Sequence, residues 1–171
     1  MVHCRHSQLT KTIEFMQNKN LNVVVLAGGS SAEAEVSRQS AAQVKLALSN
    51  TGFRVAVVEL DKDCPSELLK IRPDVVFPAL HGPPGEDGTV QGLLEMLALC
   101  YVGSDVRGSA MAMDKAVAKS IFKRHGLPII EDYIVEPGLD LAATAKDIER
   151  LLGPSVVIKP LNQGSALGVQ L

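Results

Sequence analysis

The chain has 171 residues and a formal net charge of −2 at pH 7, with 46% hydrophobic, 21% charged and 4% aromatic residues. These values are typical of a globular chain with one domain or slightly more, and with an aliphatic core. They exclude the broad basic surface needed to bind nucleic acid or an anionic membrane, and no apolar run reaches the length of a membrane span.

The N-terminal segment, residues 1–20, is interpreted as an extension that precedes the folded part. It has charged and polar residues where a signal peptide would have its apolar stretch. Cys4, Cys64 and Cys100 are far apart and form no CxxC pair, so we expect free thiols and a cytoplasmic location.

Residues 21–104 alternate strand and helix patterns. The predicted strands are NVVVLA (22–27), FRVAVVEL (53–60), DVVFPAL (74–80) and CYVG (100–103). Between the first two strands, a helix is predicted to share one apolar stripe of Val36, Ala41, Val44, Ala47 and Leu48. The alternation predicts an α/β, Rossmann-like domain with a parallel sheet, in which the loops after the strands line one edge.

Residues 105–171 begin a second domain. Helices are predicted over residues 114–125 and in DLAATAKDIERLLG, and strands in LPIIEDYIVE and PSVVIKP. A small-residue loop, NQGSALG (162–168), precedes the start of another strand, GVQL.

The loop after the first strand, GGSSAEAEVS (28–37), is suited to an anion, because free backbone N–H groups cluster at a helix start. Its glycines do not have the GxGxxG spacing, which argues against a dinucleotide site in which Glu59 would hold the ribose. Glu33 is either a first-turn acid that complements the helix dipole or a carboxylate that captures an ammonium group.

The loop after the third strand, HGPPGEDGTVQG (81–92), combines glycines and prolines with His81, Glu86 and Asp87. A glycine-rich turn with Asp87 capping the next helix explains only part of it. His81 and Glu86 remain as candidates for ordering a ligand, His81 by donating to a carboxylate or orienting an acid. No metal site is predicted in the chain.

Two lysines and one loop suggest phosphate binding. Lys115 lies near a helix start, where the dipole disfavours a cation, which hints at an anionic partner. Lys159 ends an apolar strand just before NQGSALG, whose backbone N–H groups can form an anion nest. A solvated lysine and a simple hairpin connection are the alternatives.

The segments LAGGSSAEAEVS, ALHGPPGEDGTVQGLLEMLALCYVGS, GSAMAMDK and VVIKPLNQGSALGV resemble, in this order, the D-alanine–D-alanine ligases, which are ATP-grasp enzymes of cell-wall synthesis. The resemblance covers residues 21–171. It implies ATP, Mg²⁺ and D-alanine as cofactors and substrate, and a homodimer. It also implies an N-terminal α/β domain (21–104) followed by an incomplete α+β central ATP-grasp domain (105–171).

The resemblance also implies roles for single residues. Glu33 would contact the amino group of the first D-alanine and organise a catalytic serine, Ser165, while His81 and Glu86 would lie on the same substrate side. Phosphates of ATP would be bound by Lys115 and Lys159 and covered by a loop that contains Gly164, Ser165 and Gly168.

The chain departs from the family pattern in two respects. The phosphate loop often reads SREGSSVG in the family, whereas Leu161, Asn162, Gln163, Ala166 and Leu167 stand at the differing positions here, so loop closure is expected to be weaker. The Mg²⁺ ligands and the C-terminal domain are expected beyond Leu171, so we expect this chain alone to be inactive. A non-catalytic binding or dimerisation module and a D-alanine–D-lactate ligase are the alternatives.

Overall fold

The computed structural model describes residues 2–3 and 21–171, with side chains described from residue 21 onward. Most of the predicted N-terminal extension therefore lies outside the described residues. The described chain forms two compact units, the first ending at Ala110 and the second beginning at Met111. The sequence-based boundary after residue 104 is close to this division.

The first unit contains a five-stranded sheet with the order β1-β5-β4-β2-β3. Its strands are β1 (Val2–His3), β2 (Asn22–Ala27), β3 (Arg54–Glu59), β4 (Val75–Pro78) and β5 (Tyr101–Val102). Strands β2 to β5 run parallel, whereas β1 pairs antiparallel with β5. The predicted parallel α/β fold is thus confirmed, and the antiparallel edge strand β1 is an addition that the sequence pattern did not predict.

Helices cover both faces of this sheet, because the strand side chains alternate between them. The helices of the first unit are α1 (Ala34–Asn50), α2 (Cys64–Ile71) and α3 (Thr89–Met96), and α4 (Val106–Met113) begins in it and ends just past the division. Val24 and Leu26 of β2 belong to a buried cluster with Leu68 of α2 and Leu94 of α3. The neighbouring residues of β2 belong to a second cluster, with α1.

The buried stripe of α1 differs from the predicted one. Ser37 and Ala41 are its fully buried residues, whereas Val36 is 53% exposed. The predicted stripe favoured the hydrophobic Val36 over the polar Ser37, one position away. The structure buries Ser37 because its hydroxyl makes hydrogen bonds at the sheet edge, as described below.

The second unit contains α5 (Lys115–Arg124) and α6 (Leu141–Leu152), close to the predicted bounds. The side chains of Asp114 and Asp140 cap their N-termini by accepting backbone N–H groups. The strands predicted in LPIIEDYIVE and PSVVIKP are not formed. Apart from an isolated antiparallel bridge between Ile158 and Gln170, these segments have no strand partner within the described residues.

Two further sequence expectations concern thiols and membranes. Cys64 is buried and free, as expected, but Cys100 is in a disulfide bond, so the expectation of free thiols is wrong there. The spacing argument excluded CxxC pairs only and could not exclude pairing between distant cysteines. Within the described residues, no helix is both long enough and apolar enough to cross a membrane.

Candidate functional site

The candidate site lies at the carboxyl edge of the sheet, where the loops after β2 and β4 meet. These two strands are adjacent and parallel, with Leu26 opposite Pro78 near their ends. We call residues 28–33 the first loop and residues 81–88 the second loop. Ligands of open parallel sheets usually bind at this edge, so the placement agrees with the sequence argument.

The Ser37 hydroxyl joins the ends of the two strands. Its Oγ accepts the Gly28 N–H at 2.8 Å and donates to the Ala79 carbonyl at 2.6 Å. Ser37 is 0% exposed, so both hydrogen bonds are shielded from water. One buried side chain of α1 thus connects the start of the first loop with the backbone just before the second loop.

Two more serines connect the first loop and α1 with His81. Ser31 Oγ donates to the His81 backbone carbonyl at 2.7 Å and accepts the Glu33 N–H at 3.2 Å. Ser40 Oγ lies 3.0 Å from Nε2 of the His81 imidazole. The partner of Nε2 is therefore a serine hydroxyl, and donation from the ring to a carboxylate stays a prediction.

Glu33 lies where the two loops approach each other. It is only 8% exposed and occupies the N-cap position of α1, although its side chain makes no capping hydrogen bond there. A Cβ added to Gly82 would come within 3.0 Å of Glu33 Oε2 and 3.4 Å of Ser31 Cβ. A glycine at position 82 is what allows the second loop to approach the buried carboxylate so closely, and its φ of +67° also favours glycine.

The second loop folds back on itself through Glu86. The exposed Glu86 carboxylate accepts the Gly82 N–H through Oε2 at 2.8 Å. Gln91 Nε2 donates to the Gly85 carbonyl at 2.9 Å from a buried position. Asp87 accepts the Thr89 N–H, but the N-cap residue of α3 is Gly88, so the predicted capping by Asp87 is correct only in part.

Glu59, considered as a ribose-binding acid, is engaged in an ion pair. Arg38 Nη2 donates to its Oε1 at 2.7 Å, and the Gly29 N–H contacts the same oxygen at 3.4 Å. The hydrogen bond to Glu59 is also the main cause that raises the pKa of Arg38 above its ordinary value. The carboxylate thus fixes the first loop to α1.

The second unit contains the other predicted site residues. Lys115 Nζ donates to the backbone carbonyls of Leu161, at 3.0 Å, and of Gln163. Ser165 is exposed and has a φ of +47°. Lys159 is exposed as well. The structure thus joins one predicted phosphate-binding lysine to the loop that was predicted to cover phosphates.

The turn of this loop is closed by backbone hydrogen bonds. The Leu167 N–H donates to the Gly164 carbonyl at 2.9 Å. Across the isolated bridge, the N–H groups of Ile158 and Gln170 each donate to the backbone carbonyl of the other residue. Gly168 has a φ of +70°, and a Cβ there would meet Pro160 Cγ at 2.9 Å. This resembles the simple hairpin connection that was the alternative interpretation of NQGSALG.

The sequence analysis missed four polar residues that build the site: Ser31, Ser37, Ser40 and Gln91. A signal for two of them was present, since Glu33, Ser37 and Ser40 recur at helical spacing and share one face of a helix. The described residues contain no group of three or more His, Cys, Asp or Glu side chains arranged to hold a metal ion.

Comparisons of sequence and of fold with known proteins both find similarity to the same family. Residues 63–104 match a family described as "D-ala D-ala ligase N-terminus". The D-alanine–D-alanine ligase of Anaeromyxobacter sp. (strain Fw109-5) is 45% identical over 149 residues, which are 87% of this chain and 48% of that protein. The chain thus spans about half the length of the curated relatives it matches.

Two solved structures support the relationship. The D-alanine–D-alanine ligase of Bacillus anthracis superposes with a TM-score of 0.73 at 32% identity, over 88% of this chain and 48% of that chain. The same enzyme complexed with ATP superposes with a TM-score of 0.70, over 84% and 48% of the two chains. The chain is therefore similar to D-alanine–D-alanine ligases in sequence and in fold.

Proposed function

From the similarity of this chain to D-alanine–D-alanine ligases, we propose that it provides the first D-alanine site and part of the ATP site of such an enzyme. The enzyme would join two D-alanines at the expense of ATP, with release of ADP, for peptidoglycan precursor synthesis. The observation that carries the proposal is the buried Glu33 carboxylate beside Gly82, at the junction of the two loops.

The chemistry of this junction suits a small amino acid. A buried carboxylate is stabilised by a cation within hydrogen-bond distance, and the ammonium group of D-alanine is one. Gly82 leaves room for close approach, while Ser31 holds the backbones of Glu33 and His81 together. Under this proposal Glu33, His81 and Glu86 order the first D-alanine.

The nucleotide would be bound by the second unit. Lys115 donates to two backbone carbonyls, and a triphosphate oxygen is a stronger partner for an ammonium group than a carbonyl. Lys159 is exposed close to the same loop in sequence. We propose that both lysines bind ATP phosphates and that Gly164, Ser165 and Gly168 belong to the covering loop.

The proposed reaction has two steps. The carboxylate of the first D-alanine attacks the γ-phosphoryl group, forming D-alanyl phosphate and ADP, and the lysines reduce the repulsion between the two anions. The amine of the second D-alanine then attacks the acyl carbon and phosphate leaves. A covering loop with Ser165 would exclude water, which would otherwise hydrolyse the acylphosphate. Mg²⁺ would supply further charge neutralisation for phosphoryl transfer.

The proposal is tested by joining this chain to the remaining half of the Anaeromyxobacter ligase and measuring D-alanyl-D-alanine and ADP. We expect both products from the chimera. Glu33→Gln should lower kcat/KM about 10- to 150-fold, because a hydrogen bond to a charged group contributes about 1.5–3 kcal/mol. Glu35→Gln is the matched control, since Glu35 is exposed and pairs with Arg38 on the same helix. A folded chimera in which the two variants behave alike would contradict the role of Glu33.

Assembly and location are part of the same proposal. We propose a homodimer in the cytoplasm, on the strength of the family resemblance. Sedimentation of the chain under reducing conditions tests the dimer, and it also shows whether assembly depends on the Cys100 disulfide. A monomer at concentrations of about 100 μM would reject a dimer with a Kd in the low micromolar range.

A further inference from the structure

The His81 side chain is held by a hydroxyl to which the resemblance to ligases assigns no role. Ser40, on α1, places its Oγ 3.0 Å from Nε2 of the imidazole ring. The backbone of His81 is held separately, because Ser31 Oγ donates to its carbonyl at 2.7 Å. The ring and the backbone of one residue are thus each fixed by a serine, one in the first loop and one on α1.

The direction of the Ser40 hydrogen bond follows from the donors and acceptors that the hydroxyl and the imidazole ring have. A hydroxyl has one proton to donate, and a neutral imidazole has one donor nitrogen and one acceptor nitrogen. In the described part of the chain, His81 Nε2 is the hydrogen-bond partner found for the Ser40 hydroxyl. If Nε2 carried the proton, the hydroxyl would accept, and its own proton would have no acceptor among the described protein atoms.

The hydroxyl proton finds a protein acceptor when Ser40 donates to an unprotonated Nε2. The proton of the neutral ring then lies on Nδ1, because the tautomer is set by the hydrogen bond that the other nitrogen makes. Such a ring has an N–H donor at Nδ1 without carrying a charge. An N–H donor is what a carboxylate or phosphate oxygen requires, whereas an unprotonated nitrogen would face that oxygen lone pair to lone pair.

We propose that Ser40 is a positioning residue that fixes His81 in the Nδ1-protonated tautomer, so that the neutral ring can donate to an anionic oxygen of the substrate. The second half of this statement rests on the proposed function, in which His81 orders the first D-alanine. The first half concerns the chain itself and stands or falls without any ligand.

Nitrogen NMR of the full 171-residue chain with ¹⁵N-labelled histidine tests the tautomer. Long-range ¹H–¹⁵N spectra distinguish protonated from unprotonated ring nitrogens, and the pH is raised until the ring signals no longer change, so that the spectra report the neutral form. The His81→Asn variant assigns the His81 signals. His125 serves as an internal reference, because its Nδ1 lies 2.8 Å from the Ile121 carbonyl, which can only accept.

Four variants separate the ring contact from its surroundings. Ser40→Ala removes the hydroxyl, and Ser40→Thr restores it at the same position. Ser31→Ala removes the tie to the His81 backbone but leaves Ser40 in place. Ser49→Ala changes an exposed serine of the same helix and controls for helix propensity. Backbone amide spectra verify that each variant is folded.

We expect His81 to show the His125 pattern, with a protonated Nδ1, in the unmodified chain and in the Ser40→Thr, Ser31→Ala and Ser49→Ala variants. Ser40→Ala should lose it and give a mixture or the opposite tautomer. An Nε2-protonated ring in the unmodified chain, or a Ser40→Ala spectrum identical to that of Ser49→Ala, would overturn the inference. D-Alanine that fails to shift the His81 signals would count against the proposed substrate site and leave the tautomer result unaffected.

Discussion

Replacing Ser37 with alanine should destabilise the first unit strongly for so small a change. The substitution removes one oxygen atom, but that oxygen accepts the Gly28 N–H and donates to the Ala79 carbonyl. Because Ser37 is 0% exposed, water does not reach either group without a structural change. Each buried group left without a partner costs about 1–3 kcal/mol, so the expected loss for the two groups is about 2–6 kcal/mol. This is a large share of the ~5–15 kcal/mol by which domains are stable.

Urea unfolding followed by far-ultraviolet circular dichroism measures this loss. With a mid-range m-value of ~2 kcal/mol/M, the midpoint should fall by about 1–3 M. Ser49→Ala, in an exposed part of the same helix, gives the effect of helix propensity alone, which favours alanine by up to ~0.5 kcal/mol. If Ser37→Ala and Ser49→Ala unfold within about 0.5 kcal/mol of each other, the buried hydrogen bonds of Ser37 do not stabilise the first unit to this extent.

The remaining predictions concern a glycine and a thiol. Gly88→Ala should lower the melting temperature more than Gly29→Ala does. The two glycines have nearly the same φ, +96° and +93°, so the backbone strain of alanine costs each variant about 1–2 kcal/mol of stability. Of the two, only the Cβ added at Gly88 meets a backbone oxygen, that of Val106, at 2.7 Å. Equal losses would refute the steric argument. Burial, with a smaller contribution from Asp61, raises the pKa of Cys64 from 9.0 to about 11. A thiol reagent at pH 8 should therefore label Cys64 only after unfolding. The labelling of Cys64 is measured as the difference between the labels bound by the unmodified chain and by Cys64→Ala. As the pH rises, the Cys64 thiol loses its proton in the unfolded chain before it does so in the folded chain. The free energy of unfolding should therefore fall between about pH 9 and pH 11, and Cys64→Ala should weaken that fall. A pH dependence that Cys64→Ala leaves unchanged would contradict this prediction.

The sheet was predictable because its signals are local and agree with one another. Runs such as NVVVLA read as buried strands, and the alternation with helices determines a parallel arrangement. The second unit shows the limit of this reasoning. LPIIEDYIVE has the composition of a strand, yet Ile130 is 86% exposed and the segment pairs with no strand among the described residues. A strand needs a partner, and composition does not supply one.

The candidate site was predictable at the level of its loops and its charged residues. Glu33 and His81 come after neighbouring parallel strands, so topology alone brings them to one edge. The serines that fix them were missed, because a serine in a loop, such as Ser31, or on a helix, such as Ser40, is taken for a surface residue until its partner is known. Ser37 illustrates this: its two partners are backbone groups 9 and 42 residues away.

The central claim is that the first and second loops form one site for the first D-alanine. Titration of the ¹⁵N-labelled chain with D-alanine and, separately, with L-alanine tests it most directly. We predict that D-alanine shifts the backbone signals of Glu33, Gly82 and Glu86 together, with one common binding curve, and that L-alanine shifts them far less. Signals that stay unchanged in both loops, or that respond equally to the two enantiomers, would contradict the account.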